Sequence, residues 1–157
     1  RSAMSTIKRR TVPLGEELDI VKAYLALEAI RYEERLRVYF DVQEGLEREP
    51  VPPMLLQTLV ENAVRHGVAK LPQGGEIHIG VHRGLDIMVL SVRNSGHYRA
   101  GTVSGTGIGI RNTHKRLELI YGKGAHMLIE NRDGMVVTEV MIPITTAEAI
   151  AEPTTAS

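Results

Sequence analysis

The sequence predicts an α+β fold, an α/β sandwich of two layers in which helices gather on one face of a mixed or antiparallel sheet. Three observations carry that expectation. Segments with helical periodicity alternate with short β-branched runs in the order helix, strand, helix, strand, strand, glycine-rich loop, helix, strand, strand. The 157 residues, 43% apolar and 24% charged, have the balance of one ordinary globular domain. A chain of that length can bury a core without a metal or disulfide staple, and there is no internal repeat.

Residues 1–12 are polar and basic, include Lys8-Arg9-Arg10, lack periodicity and read as a linker ahead of a domain over 13–144. Leu14, Leu18, Val21 and Leu25 recur at helical spacing, which predicts a helix over about 16–33. Arg37 to Val42 is β-branched and aromatic and ends in a polar turn with Gly45, so it reads as a strand. Pro52-Pro53 starts a helix from Met54 to His66, with Leu56, Leu59, Val60 and Ala63 on one side and Gly67 as its stop. After the turn at Gln73-Gly74-Gly75, Glu76–Arg83 and Asp86–Arg93 form a hairpin about Gly84. Gly96, Gly101, Gly105 and Gly107 mark residues 95–107 as a long mobile loop, of the kind that usually carries function. Ile108 to Tyr121 resumes helical spacing, with Lys115, Arg116 and Glu118 expected to face solvent and Gly122 and Gly124 closing it. Two strands, 126–131 and 135–142, bracket the turn Asp133-Gly134, and the low-complexity tail 145–157 should fray.

Composition excludes several functions. The 19 Lys and Arg balance 19 Asp and Glu, so no net field draws the chain to nucleic acid. Without cysteine there is no zinc finger, thiol chemistry or iron–sulfur cluster. No apolar run approaches the roughly 20 residues that cross a bilayer, and the expected location of this fragment is the cytoplasm. A start at Arg1 is expected of a piece of a longer protein, and a protein anchored in the cell membrane is one source compatible with it.

Three features carry chemistry. The helix segment Val60-Glu61-Asn62-Ala63-Val64-Arg65-His66-Gly67 places Asn62 with His66, and Glu61 with Arg65, at a spacing of four, as a polar ridge beside an apolar stripe. A solvated helix face explains these residues as well as a site does, but an asparagine inside a helix has poor propensity, which a ligand would offset; its amide oxygen is a hard neutral donor suited to Mg²⁺, and a neighbouring carboxylate can take a proton. The second feature is a strand ending in Asn94-Ser95-Gly96, a turn signal when taken alone. The third is Gly105-Thr106-Gly107-Ile108-Gly109-Ile110 leading into a helix, where backbone N–H groups and the helix dipole suit phosphate oxygens. A Rossmann fingerprint needs a different glycine spacing directly after a strand, a Walker loop needs a lysine after its glycines, and the protein-kinase motif set is absent.

The combination resembles the GHKL ATPases, which include gyrase, MutL, heat-shock chaperones and bacterial histidine kinases. Glu61-Asn62-Ala63 with His66-Gly67 is similar to the family's N box, Asn94-Ser95-Gly96 to its G1 box, and Gly105-Thr106-Gly107-Ile108-Gly109 to its G2 box, in the family order. Ile110-Arg111-Asn112, Arg116-Leu117 and Tyr121-Gly122, with Leu14, Glu17-Leu18, Tyr24-Leu25, Glu28 and Arg31-Tyr32, resemble the LytS/YehU-type sensor histidine kinases.

The resemblance implies a Bergerat ATP-binding fold with ATP and Mg²⁺ as cofactors. Asn62 would ligate the metal, and Glu61 would be, or would orient, the catalytic base toward a phosphoacceptor. Arg65, His66, Thr106 and Asn112 would approach phosphate, while Gly105, Gly107 and Gly109 would let a lid close over it. Asn94 and Gly96 would hold adenine, with Asn94 standing where the family usually has Asp, so that the hydrogen bond to adenine loses its charge assistance. The phosphoacceptor histidine would sit on upstream dimerisation helices of the same protein, a homodimer when whole, and the next partner would be a response regulator of the LytTR type. An anti-sigma-like serine kinase and a degenerate nucleotide-gated interaction module are the alternative readings. His78, His82, His114 and His126 are expected to have ordinary surface or packing roles.

Overall fold

The computed structural model describes residues 11–99 and 105–144. Most of the expected linker, all of the tail from Thr145, and Gly101 lie outside the described residues. Strand β1 (Val12–Pro13) leads directly into helix α1 (Leu14–Tyr32), which starts two residues before the sequence-based boundary. Its first amides are satisfied from elsewhere: Leu14 N donates to Glu49 O at 2.8 Å and Gly15 N to Glu47 O at 2.8 Å. β1 pairs antiparallel with β3 (Pro50–Val51), a two-residue strand. Neither was expected, because two residues carry no periodicity and both strands contain proline.

The main sheet holds β2 (Leu36–Val42), β4 (Gly75–Arg83), β5 (Ile87–Ser95), β6 (His126–Arg132) and β7 (Met135–Pro143) in the order β2-β4-β5-β7-β6. β2 and β4 run parallel and every other pair is antiparallel, so the sheet is mixed. A parallel pair requires a crossover, and helix α2 (Leu55–His66) lies within it. Asp133 and Gly134 both have positive φ, 53° and 76°, as a tight β6–β7 hairpin turn demands.

Alternation along the strands separates the two faces. Ile77, Ile79, Val81, Met88, Leu90, Val92, Val140 and Ile142 point inward and join Leu18, Val21 and Leu25 of α1 and Leu56, Leu59, Val60 and Ala63 of α2 in one core. The opposite face carries Arg37, Tyr39, Glu76, His78 and Arg93. The helices therefore cover one side only, as two layers require.

Helix α3 (Gly105–Tyr121) corrects two expectations. It begins three residues early, so Gly105, Thr106 and Gly107 form its first turn rather than part of a loop. Extending an established helix adds one hydrogen bond per residue fixed, so a helix formed further along can take up glycines that would not start one. Arg116, expected to face solvent, turns inward and donates through Nη2 to Pro53 O, whereas Lys115 and Glu118 are exposed. No described helix is long and apolar enough to cross a membrane.

Candidate functional site

The site is built on α2, whose placement depends on α1. Met54, just before the helix, is left-handed (φ 67°) and supplies no side-chain cap. Glu17 of α1, 1% exposed, supplies one from a distance: its carboxylate accepts from Met54 N at 3.0 Å, Leu56 N at 3.1 Å and Gln57 N at 3.4 Å. A carboxylate there satisfies amides at the helix start and complements its dipole. Sequence reasoning missed this role, since nothing local ties residue 17 to residue 54.

Along α2 the predicted ridge is present. Glu61 is half-buried and accepts from Gln57 Nε2 at 3.5 Å, one turn earlier. Tyr24 of α1 faces this ridge: burial first, then the Glu28 and Glu61 carboxylates, push its phenol well above the usual range and keep it neutral. Arg65 is exposed. Asn62 and His66 share a different property. Asn62 Nδ2 and His66 Nε2 are both buried, yet neither has a hydrogen-bond partner among the described residues. Buried polar atoms are rarely left so, because an unmade bond costs about 1–3 kcal/mol. Burial, and then the positive charges of Lys70 and Arg65, hold the His66 imidazole below its ordinary pKa, so the ring is neutral at neutral pH.

The start of α3 lies against Asn62. A methyl carbon at Gly109 would stand 3.3 Å from Asn62 Nδ2. The first amides of this 17-residue helix have no carbonyl inside the helix to accept them, and they bring the positive dipole end beside Asn62. Thr113, buried one turn further, fixes this end by donating from Oγ1 to Gly109 O at 2.9 Å.

At the end of α2, Gly67 lies against the end of β5. Asn94 is buried on the inward face of that strand, in register with Ile77 and Val136. A methyl carbon at Gly67 would fall 2.1 Å from Asn94 Nδ2, and one at Gly96, whose φ is 132°, would fall 3.6 Å from it. Only glycine permits this approach at Gly67. Asn94 Nδ2 donates to Ser95 O at 2.9 Å. A carbonyl accepts only from the nitrogen, so this bond fixes the amide and leaves its oxygen to accept from elsewhere. Beyond Gly96, Asn131 of β6 grips the chain at Tyr98, accepting from its N–H at 2.8 Å and donating to its carbonyl at 2.9 Å.

The structure thus brings Asn62, Gly109, His66, Gly67, Asn94 and Gly96 into one region from three separate stretches of sequence. Glu61 and Arg65 flank it on α2; Gly105, Thr106 and Gly107 occupy the first turn of α3; Asn112 is exposed on that helix. The remaining histidines sit elsewhere: His78 bonds Glu76 at 2.8 Å, His82 bonds Asp41 at 3.1 Å, His114 lies 3.0 Å from Glu118, and His126 is exposed on β6.

Comparison with known proteins bears on the fold. No protein-family model matches the chain. Among curated proteins, the sensor protein LytS of Staphylococcus saprophyticus is 32% identical over 143 residues, covering 83% of this chain and 24% of that protein. The sensor histidine kinase/phosphatase LytS of Staphylococcus aureus is 31% identical over 144 residues, covering 83% of this chain and 25% of the relative. The chain therefore spans about a quarter of the length of the curated relatives it matches. Among solved structures, the catalytic domain of histidine kinase ThkA superposes with a TM-score of 0.66 at 20% identity, covering 85% of this chain and 93% of that one. The Acinetobacter baumannii histidine kinase AdeS gives 0.65 at 13%, covering 92% and 75%. ThkA has also been solved in complex with the response regulator TrrA, a structure matched at a TM-score of 0.66 and 20% identity, covering 85% of this chain and 41% of that one. The fold is the one found in the catalytic domain of histidine kinase ThkA and in histidine kinase AdeS. Over most of its own length, the chain is similar to a part of the LytS sensor histidine kinases.

Proposed function

We propose that residues 13–144 are the ATP-binding catalytic domain of a two-component sensor kinase, which passes the ATP γ-phosphate to a histidine on a separate dimerisation segment of the same protein. The observation that carries the reading is the pair of unpaired buried nitrogens on Asn62 and His66, one turn apart, beside Gly109 at the start of α3. A purine triphosphate suits that combination: the helix-start amides donate to phosphate oxygens, which the glycines let approach closely, and His66, neutral and buried, offers a hydrogen bond without a competing charge. Asn94 presents its fixed amide oxygen to the exocyclic amine of adenine, so asparagine serves where the family usually has aspartate.

Among the described residues no group of three or more His, Asp or Glu is placed to hold a metal. Magnesium binds through few protein ligands together with substrate phosphates, and Asn62 would hold it in that manner. When bound, the metal neutralises charge on the phosphates. The chain's own residues do the rest. Asn62 and the α3 amides orient the nucleotide, Arg65 lends positive charge at the rim, and Glu61, half-buried and steadied by Gln57, takes the proton from the attacking imidazole. The whole protein is a membrane-associated homodimer whose product histidine feeds a response regulator of the LytTR type.

The test is binding of a nonhydrolysable ATP analogue with and without Mg²⁺, followed by Asn62→Ala. The expected outcome is magnesium-enhanced binding that the substitution abolishes while the far-UV circular dichroism is unchanged. Magnesium dependence that survives Asn62→Ala removes Asn62 from the site.

A further inference from the structure

Gly109 and Asn62 meet at one end of the α2–α3 contact, and Arg116 and Pro53 meet at the other. The two helices are therefore antiparallel. Seven residues of α3 separate its two contacts and nine of the facing chain separate theirs, or roughly 10 and 13 Å at the helical rise, a difference that an arginine side chain spans. Sliding along that direction would change which residue of α3 stands beside Asn62. Leu14–Tyr32 already fixes the start of α2 through Glu17, whereas α3 is seated on the core by Leu117 and its axial register against α2 is what a polar contact can set.

We infer that Arg116 is a positioning residue: its hydrogen bond to the Pro53 carbonyl pins the axial register of α3 against α2, and so places the α3 N-terminus on Asn62. Several observations converge. Arg116 is the one charged residue of the cluster Lys115, Arg116 and Glu118 that turns inward, half-buried against a groove of about 260 Å³ lined by Pro53, Leu119 and Ile120. The Pro53 carbonyl precedes the left-handed Met54, outside the regular helical ladder, and is open to an external donor. Thr113, midway between Arg116 and Gly109, is buried and bonded within its own helix, so the segment between the two contacts transmits the register as a rigid element. Arg116 touches neither Asn62 nor Gly109; it acts only through the helix.

This inference rests on the functional reading for its ligand but not for its geometry, and the experiment uses both. The ratio of analogue affinity with and without Mg²⁺ is measured for the parent, Arg116→Met, Arg116→Lys and Leu119→Ala, the last removing an apolar side chain from the same groove. Side-chain amide signals are recorded by NMR without nucleotide, with Asn62→Ala assigning the Asn62 pair. Arg116→Met is expected to lower the magnesium ratio about tenfold, in the range of lost partners that orient a metal ligand, and to shift the Asn62 amide signals. Arg116→Lys, which keeps one donor, recovers part of both effects, and Leu119→Ala moves neither. A ratio and Asn62 signal in Arg116→Met equal to the parent's, or matched by Leu119→Ala, overturns the pin. If the parent shows no magnesium-dependent binding, the functional reading fails, and the nucleotide-free Asn62 signals still decide the pin.

Discussion

The two faces of the sheet treat polar groups differently. On the open face, His78 stacks on Tyr39 with ring centroids 4.6 Å apart and bonds Glu76, which also faces Arg37. On the covered side, His66 and Asn62 are packed among apolar helices and their buried nitrogens have no partner among the described residues. Histidine occurs on both faces, so residue type does not separate them. The difference lies in satisfaction: a paired polar group is explained by the fold, whereas a buried unpaired one is explained by something the fold is shaped to receive.

The sharpest way to break this contrast is to crowd each face with one methyl group. Gly67→Ala would put carbon 2.1 Å from Asn94 Nδ2 and 2.6 Å from Ala63 O, with Asn94 itself held by Ser95 O. We expect a loss of about 3 kcal/mol in urea denaturation and loss of analogue binding. Gly80→Ala on the open face meets Ser91 Oγ at 2.8 Å, a terminal atom that can rotate away, and otherwise nothing nearer than Asp41 O at 3.7 Å, so stability should stay within about 0.5 kcal/mol and binding should be unchanged.

Glu17→Gln comes next. The amide keeps one acceptor for Leu56 and Gln57 but opposes its own N–H to that of Met54, which should lower stability by about 2 kcal/mol. A stability within error of the parent's would mean that α2 is held by its apolar face alone.

The smallest effect is a pH dependence. His66 titrates near 6.5 when unfolded and lower when folded, so below pH 6.5 the unfolded chain binds more protons. The His66 contribution is therefore complete above pH 6.5 and is lost as pH falls through the folded value. His66→Gln should flatten urea stability between pH 7 and 5. Glu76 on the open face, held low chiefly by its hydrogen bond to His78, contributes only in a more acidic window below 4.5.

The regular elements were legible because periodicity is local. Leu14, Leu18, Val21 and Leu25 mark α1, and Asp133-Gly134 marks a hairpin whatever surrounds it. The ridge of Glu61, Asn62, Arg65 and His66 was legible for the same reason, and its relation to Asn94 through the order of three motifs. Long-range contacts were not. Glu17 caps a helix 37 residues away and Arg116 bonds a carbonyl 63 residues away, and neither leaves a periodic trace. The first turn of α3 was missed because glycines signal a loop locally while the helix behind them extends through that turn.

The most direct test of the central claim reads both histidines at once. Nitrogen-detected NMR of the imidazole rings, recorded while the nonhydrolysable ATP analogue and Mg²⁺ are added, reports each side chain separately. The account predicts that the His66 Nε2 signal moves with saturation and that His78 stays still. A saturating shift at His78 with His66 unmoved, or analogue binding that moves neither ring, would contradict it.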